Sequence, residues 1–149
     1  MTPHRRAAIL IAEDSQFDQM ILRRAFGAAD IDVELRFVKD GEELLARLRA
    51  SAAEGSDGDQ PAIVLLDLHM PRMNGREALR AIREDDRLKH LPIVMLTTSD
   101  SESHIREFYG LGANSYIVKP NNFDDVVATV RELRRYWFDT ARLPGRPAA

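Results

Sequence analysis

The chain has 149 residues, 44% hydrophobic and 30% charged, which suits one domain with its own core. Its formal net charge of −3 gives no general affinity for polyanions, so nucleic acid is not an expected partner. It has no cysteine, which removes disulfides and thiolate metal sites and fits a reducing cytosol.

The opening residues, Met1-Thr2-Pro3-His4-Arg5-Arg6, lead into an apolar run too short to span a membrane. They also lack the small-residue cleavage site of a secretory signal, so a cytoplasmic protein without membrane attachment is expected. Ala7–Ala12 reads as a fully buried strand that ends in Glu13-Asp14. Ser15 begins a helix, with Asp18 three residues on as in a capping box and Phe17, Ile21 and Leu22 at helical spacing. Asp32–Val38 alternates, with Val33, Leu35 and Phe37 on one face, and predicts a strand at or near a sheet edge. Asp40-Gly41-Glu42-Glu43 reads as a second capping box, opening a helix that carries Leu44, Leu45 and Leu48.

The polar stretch Ser51–Gln60 is a surface loop, since the alternation of elements resumes directly after it. Ala62–Leu66 predicts a central strand ending in Asp67; Pro71 and Asn74-Gly75 mark a turn before a helix over Arg76–Arg83. Ile93–Leu96 is the next strand and ends in Thr97-Thr98. Ser99 with Glu102 predicts a capped helix, closed by Gly112 in a left-handed conformation. Tyr116–Val118 is the last strand and ends in Lys119-Pro120; Asn122 with Asp125 opens a helix through Val126, Val127, Val130 and Leu133. The order is strand–helix five times, which predicts a doubly wound α/β fold around a five-stranded parallel sheet. A single domain over 1–149 is expected, with a core over 7–136 and a C-terminal arm over 137–149.

In such a sheet the carboxyl ends of the strands meet at one edge, where open α/β folds place their sites. Glu13-Asp14, Asp67, Thr97 and Lys119 all stand at those ends. Phosphorylation of a carboxylate needs a rigid nucleophile, a divalent cation and donors for the phosphoryl oxygens. Glu13, Asp14 and Asp67 offer the oxygens that Mg2+ prefers, Lys119 a point charge, and Thr97 a hydroxyl donor. Two carboxylates ~5 Å apart repel by about 3 kcal/mol at an effective dielectric near 20. Three acids with one lysine therefore imply either a bound cation or a protonated acid.

At these residues the chain resembles the receiver domains of bacterial response regulators, from about Ala7 to Tyr136. The resemblance implies strand order 2-1-3-4-5, Asp67 as phosphoacceptor, Glu13 and Asp14 as the acid pair, Thr97 as switch hydroxyl and Lys119 as its lysine. It further implies that the backbone carbonyl of His69 completes the Mg2+ ligands, and that the bond before Pro120 is cis. It implies a signalling protein rather than an enzyme, phosphorylated by a sensor histidine kinase. Its switch would couple Thr97 to Tyr116, with the ring turning inward as the hydroxyl moves to the phosphoryl group. A shift from 1:99 to 99:1 needs about 5.5 kcal/mol of differential binding. Two hydrogen bonds to charge, about 1.5–3 kcal/mol each, have that size. A half-buried strand aromatic is the plainer reading of Tyr116.

Nothing after Trp137 resembles a DNA-binding effector, so output must come from docking, dimer rearrangement or phosphate relay. Tyr136, Trp137 and Phe138, beside several arginines, are residue types enriched at interfaces. With Leu143-Pro144, the stretch Leu96–Glu102 and the long Ser51–Gln60 loop, this tail is similar to that of single-domain regulators paired with phytochromes. That resemblance implies a bacterial phytochrome as kinase and a homodimer through the last strand, last helix and arm. Trp137 and Phe138 folding back on their own domain is the alternative. A phosphorylation-independent scaffold is a second functional reading. An aspartate-nucleophile phosphatase fits less well, because His69 stands where that chemistry needs a second acid.

Overall fold

Five strands, β1 (Ala8–Ala12), β2 (Glu34–Val38), β3 (Ile63–Leu66), β4 (Ile93–Thr97) and β5 (Ser115–Val118), alternate with five helices. The helices are α1 (Gln16–Ala28), α2 (Gly41–Ser51), α3 (Gly75–Glu84), α4 (Glu102–Gly110) and α5 (Phe123–Arg134). This computed structural model describes residues 7–53 and 59–144. The N-terminal segment with His4, residues 54–58 of the polar loop and residues 145–149 of the arm lie outside the described residues. All strands pair in parallel in the order β2-β1-β3-β4-β5, as expected.

The three inner strands are buried along their whole length because helices cover both faces of the sheet. Alternate residues therefore serve two cores. Ile9, Ile11, Ile63 and Leu65 pack with Phe26 of α1 and Val130 of α5. Leu10, Val64, Leu66 and Met95 pack with Leu44 of α2, Leu79 of α3 and Phe108 of α4. β2 is the predicted edge strand, with Leu35 and Phe37 on the α1–α5 side. β5 is the other edge strand. It has a neighbour on one side only, so Tyr116 and Ile117 are half-buried and Val118 is exposed. Phe17, placed on the apolar stripe of α1 by its spacing, is instead 65% exposed, and Leu22, Ala25 and Phe26 form the buried face.

The helix starts depart from the expected caps in detail. Ser15 caps α1 by accepting the Asp18 N–H at 3.2 Å, but the Asp18 carboxylate turns away to another partner. Asp40 caps α2 through the Glu43 N–H at 2.8 Å, whereas Glu43 reaches back to the Lys39 N–H. Ser101 rather than Ser99 stands at the start of α4, because the Ser99 hydroxyl is held by His104 Nδ1 at 2.7 Å. A complete capping box forms instead at α3, between Asn74 and Glu77. Gly112 takes the predicted left-handed conformation, φ 103°, after α4. The Lys119–Pro120 bond is trans, since no cis peptide occurs among the described residues. Trans is the lower-energy form by about 0.5–1 kcal/mol, and the expectation of cis had no local support.

Three contacts fix the loop that follows β3. A Cβ on Gly75 would come within 2.3 Å of the Asp67 backbone oxygen, so only glycine lets α3 begin directly under that strand end. On the other side Asp40, 2% exposed, accepts the Arg72 guanidinium at 2.6 and 3.0 Å, and the Gly41 N–H donates to the Met73 carbonyl at 2.9 Å. The Glu43 N–H and then Arg72 hold the Asp40 carboxyl below the usual carboxylate range. A depressed folded pKa contributes stability above the unfolded value of 3.8 and loses it as pH falls through the folded value. Asp40→Ala is expected to lower stability by about 1–2 kcal/mol at pH 7, the range for a lost N-cap. Urea unfolding should show that difference, and it should narrow in acid.

Candidate phosphoacceptor site

The carboxyl ends of β1, β3, β4 and β5 converge as the topology requires. Glu13, 2% exposed, is anchored through its own N–H to the Val38 carbonyl at 2.9 Å. Its Oε2 accepts the Ser15 N–H at 3.1 Å, so it does some capping of α1. Its Oε1 accepts from the Lys119 ammonium. Asp67, 8% exposed, accepts the His69 N–H at 3.3 Å on Oδ1 and Lys119 Nζ at 3.0 Å on Oδ2. Asp14 is exposed at the mouth. One oxygen from each of Glu13, Asp14 and Asp67 lies within 4.8 Å of the others. That oxygen-only set suits a hard divalent cation such as Mg2+. The imidazole of His69 is not part of the cluster. His69 lines the same cavity, of about 670 Å3, and only its backbone carbonyl was expected to serve a metal.

The charges are unbalanced. Burial pushes the Glu13 carboxyl up to about 7, against the lowering pull of its hydrogen bond and charge pairing with Lys119. Burial pulls the Lys119 ammonium down, but the Glu13 hydrogen bond and the charges of Asp67 and Glu13 outweigh it and hold it above its usual value. Lys119 is therefore a fixed cation, and Glu13 is the acid that takes a proton when no other cation is near. The sequence led to the same alternative by charge repulsion; here burial is the larger cause.

Thr97 ends β4 fully buried, and its hydroxyl is the one buried side-chain polar atom among the described residues without a partner. An unpaired buried hydroxyl costs about 1–3 kcal/mol, which a ligand oxygen would recover. Its neighbour Thr98, on the opposite side of the backbone, lines the cavity wall. Tyr116 is half-buried against Phe108, ring centroids 6.2 Å apart, and its hydroxyl donates to the Ser99 carbonyl at 2.8 Å. The tyrosine is thus tied to the loop after Thr97 rather than to Thr97 itself.

Residues that the sequence did not flag complete the wall. Asp18 accepts from Lys119 at 3.1 Å; its position one turn beyond the acid pair was the available signal. Arg76 of α3 and Glu107 of α4 form a bidentate pair, both bonds 2.7 Å, at the cavity rim. No local pattern announces it, since the two are 31 residues apart. His104 also lines the cavity and holds Ser99.

The aromatic residues continue α5 as a π-helical segment, Arg135–Thr140. Trp137 and Phe138 pack in part against the α1–α5 core, while Tyr136 stays exposed and meets Trp137 edge to face at 5.0 Å.

The family model of the response regulator receiver domain matches residues 9–131. The crystal structure of response regulator RPA3017, described in red light signalling of R. palustris, is 44% identical, covers 93% of this chain and 98% of its own, and has a TM-score of 0.85. The phosphorylated cyanobacterial phytochrome response regulator RcpA is 34% identical, covers 94% and 99%, and has a TM-score of 0.83. Response regulator Rcp1 of Synechocystis sp. is 35% identical over 91% of this chain and 92% of its own length. A crystal structure of Rcp1 in its Mn2+-bound form has a TM-score of 0.79.

The high Glu13 pKa sets a pH window. An acid whose folded pKa is raised favours the folded chain at low pH and loses that contribution as pH rises from 4.5 through about 7. Without divalent cations, the thermal midpoint should fall across that window relative to Glu13→Gln. If the ionised carboxylate holds a metal, saturating Mg2+ should remove the fall, and its affinity should be higher at pH 8 than at pH 6. Differential scanning calorimetry and calorimetric titration at both pH values check this.

Proposed function

This chain belongs to the response regulator receiver domain family and is a homologue of phytochrome-associated response regulators, and from that premise we propose that Asp67 accepts a phosphoryl group from a sensor histidine kinase of the phytochrome type. The observation that carries the reading is the pairing of Lys119 with Asp67 beside a cluster of three carboxylates and the partnerless Thr97 hydroxyl. Glu13, Asp14 and Asp67, with the backbone carbonyl of His69, would hold Mg2+. When bound, the ion cancels charge between the carboxylates and the incoming phosphoryl oxygens.

The chain's own residues do the rest. The His69 N–H and Lys119 orient the Asp67 carboxylate, one on each oxygen, so that it meets the phosphorus in a defined line. Lys119 then neutralises a phosphoryl oxygen, and the Thr97 hydroxyl gains the acceptor it lacks. Movement of Thr97 is felt by Tyr116 through the loop whose Ser99 carbonyl that tyrosine holds. The product is a phosphoprotein that changes partner binding or dimer state, in keeping with a signalling role.

The proposed dimer uses β5, α5 and the helical tail, where Val118 and Tyr136 are exposed. Trp137 and Phe138 contribute only the parts their own core leaves uncovered. No helix among the described residues is long and apolar enough to cross a membrane. A cytoplasmic location, without membrane or nucleic-acid partners, is the proposed setting.

Phosphotransfer profiling against a panel of histidine kinases tests the function. Mg2+-dependent transfer should be fastest from a bacterial phytochrome, and Asp67→Asn should abolish incorporation. Rapid transfer only from an unrelated kinase would remove the light-sensing assignment. Light scattering tests the dimer: mass should rise towards twice 16.9 kDa with concentration, and Tyr136→Ala should weaken that rise.

A further inference from the structure

Lys119 is held by three acids, and only two of them belong to the metal cluster. Its ammonium has three donors, and Glu13, Asp67 at 3.0 Å and Asp18 at 3.1 Å receive them. The side chains of Glu13 and Asp67 are 3% and 10% exposed, whereas that of Asp18 is 37% exposed at the cavity edge. Asp18 is not in the Glu13–Asp14–Asp67 cluster. Its carboxylate is also free of helix capping, because Ser15 takes only its backbone N–H.

These facts set up a competition. Glu13 and Asp67 are the carboxylates that a divalent cation requires, and both hold Lys119. When their oxygens turn to a cation, the ammonium loses the acceptors that outweigh its burial. Lys119 is 15% exposed, so it cannot simply move into water. A desolvated ammonium without a partner is strongly disfavoured. Only Asp18 can keep a full charge against it.

We propose that Asp18 is a positioning residue for Lys119. It retains the ammonium beside Asp67 while Glu13 and Asp67 serve the metal, and so leaves the cation in place for the phosphoryl oxygen. The inference rests on the metal-dependent phosphoacceptor reading above and adds to it a residue which that reading does not use.

The test is a double-mutant cycle on the full chain, with Mg2+ binding measured calorimetrically for wild type, Asp18→Asn, Lys119→Met and the double variant. Asp18→Asn should weaken Mg2+ binding about fivefold when Lys119 is present and by less than about twofold in the Lys119→Met background, the range of one partly exposed charge pair. Asp18→Glu should restore most of the loss. Lysine occurs only at positions 39, 89 and 119, so the ammonium 1H–15N signal of Lys119 can be assigned by its loss in Lys119→Met. That signal should persist in Mg2+-saturated wild type and broaden away in Mg2+-saturated Asp18→Asn. Equal Mg2+ affinity in wild type and Asp18→Asn would overturn the proposal. So would an equal loss in both backgrounds, which would show Asp18 acting on the metal by charge alone, or a Lys119 signal that survives in Asp18→Asn. Failure of wild type to bind Mg2+ would overturn the phosphoacceptor reading as well, which separates that failure from failure of Asp18 alone.

Discussion

The Lys119 ammonium is the point on which the rest of the site depends. It comes from the end of the edge strand β5 and reaches Glu13, 106 residues earlier in the chain. Its own N–H is fixed by the Thr97 carbonyl at 2.8 Å, so the lysine is positioned by β4 as well as by its acids. Burial and the pairing of this one cation with its carboxylates act against each other on both groups. The acids hold Lys119 charged despite burial, while burial holds Glu13 near neutrality despite Lys119. The surplus of negative charge is what makes the pocket receptive to a further cation.

The rest of the molecule braces that arrangement on one side and leaves one group without a partner on the other. Beneath Asp67, Gly75 lets α3 start in direct contact with the strand end, and the Arg72–Asp40 pair ties the intervening loop to α2. Arg76 adds its bidentate bond to Glu107, linking α3 to α4 across the rim. The β4 side differs at its tip. Thr97 carries an unsatisfied hydroxyl, and in the following loop Ser99 is held by Tyr116 on its carbonyl and by His104 and the Ser101 N–H on its hydroxyl. A phosphoryl group on Asp67 would meet a lysine already in place and a threonine hydroxyl without a hydrogen-bond partner. The asymmetry therefore runs from Asp67, which is held on both oxygens, to the Thr97 hydroxyl, which has no partner.

Much of this was legible in the chain itself. Apolar runs of five or six residues with abrupt charged ends gave β1 and β3, and period-two alternation marked β2 as an edge. Parallel strand order then placed Glu13, Asp14, Asp67, Thr97 and Lys119 at one edge. The errors have specific causes. Phe17 sat at helical spacing with Ile21 and Leu22, yet it lies on the exposed side of α1. Ser99 matched a capping pattern, yet its hydroxyl found His104, and Asp18 matched one too, yet its carboxylate found Lys119. Capping motifs describe which bonds are locally possible, and a charged or polar group from another element can offer a better one.

Sequence alone determined the fold class, the strand order by resemblance, and the identity of the acidic and basic strand tips, because period and charge are properties of the chain. Tertiary structure alone decided that Asp18 joins Lys119, that Arg76 joins Glu107, that Tyr116 is tied to Ser99, and that Trp137 and Phe138 lean on their own core. Each of these depends on distances between elements far apart in sequence or on which face a helix turns inward. Such distances follow from how the two cores pack, and packing is set by the whole set of buried side chains rather than by any local pattern.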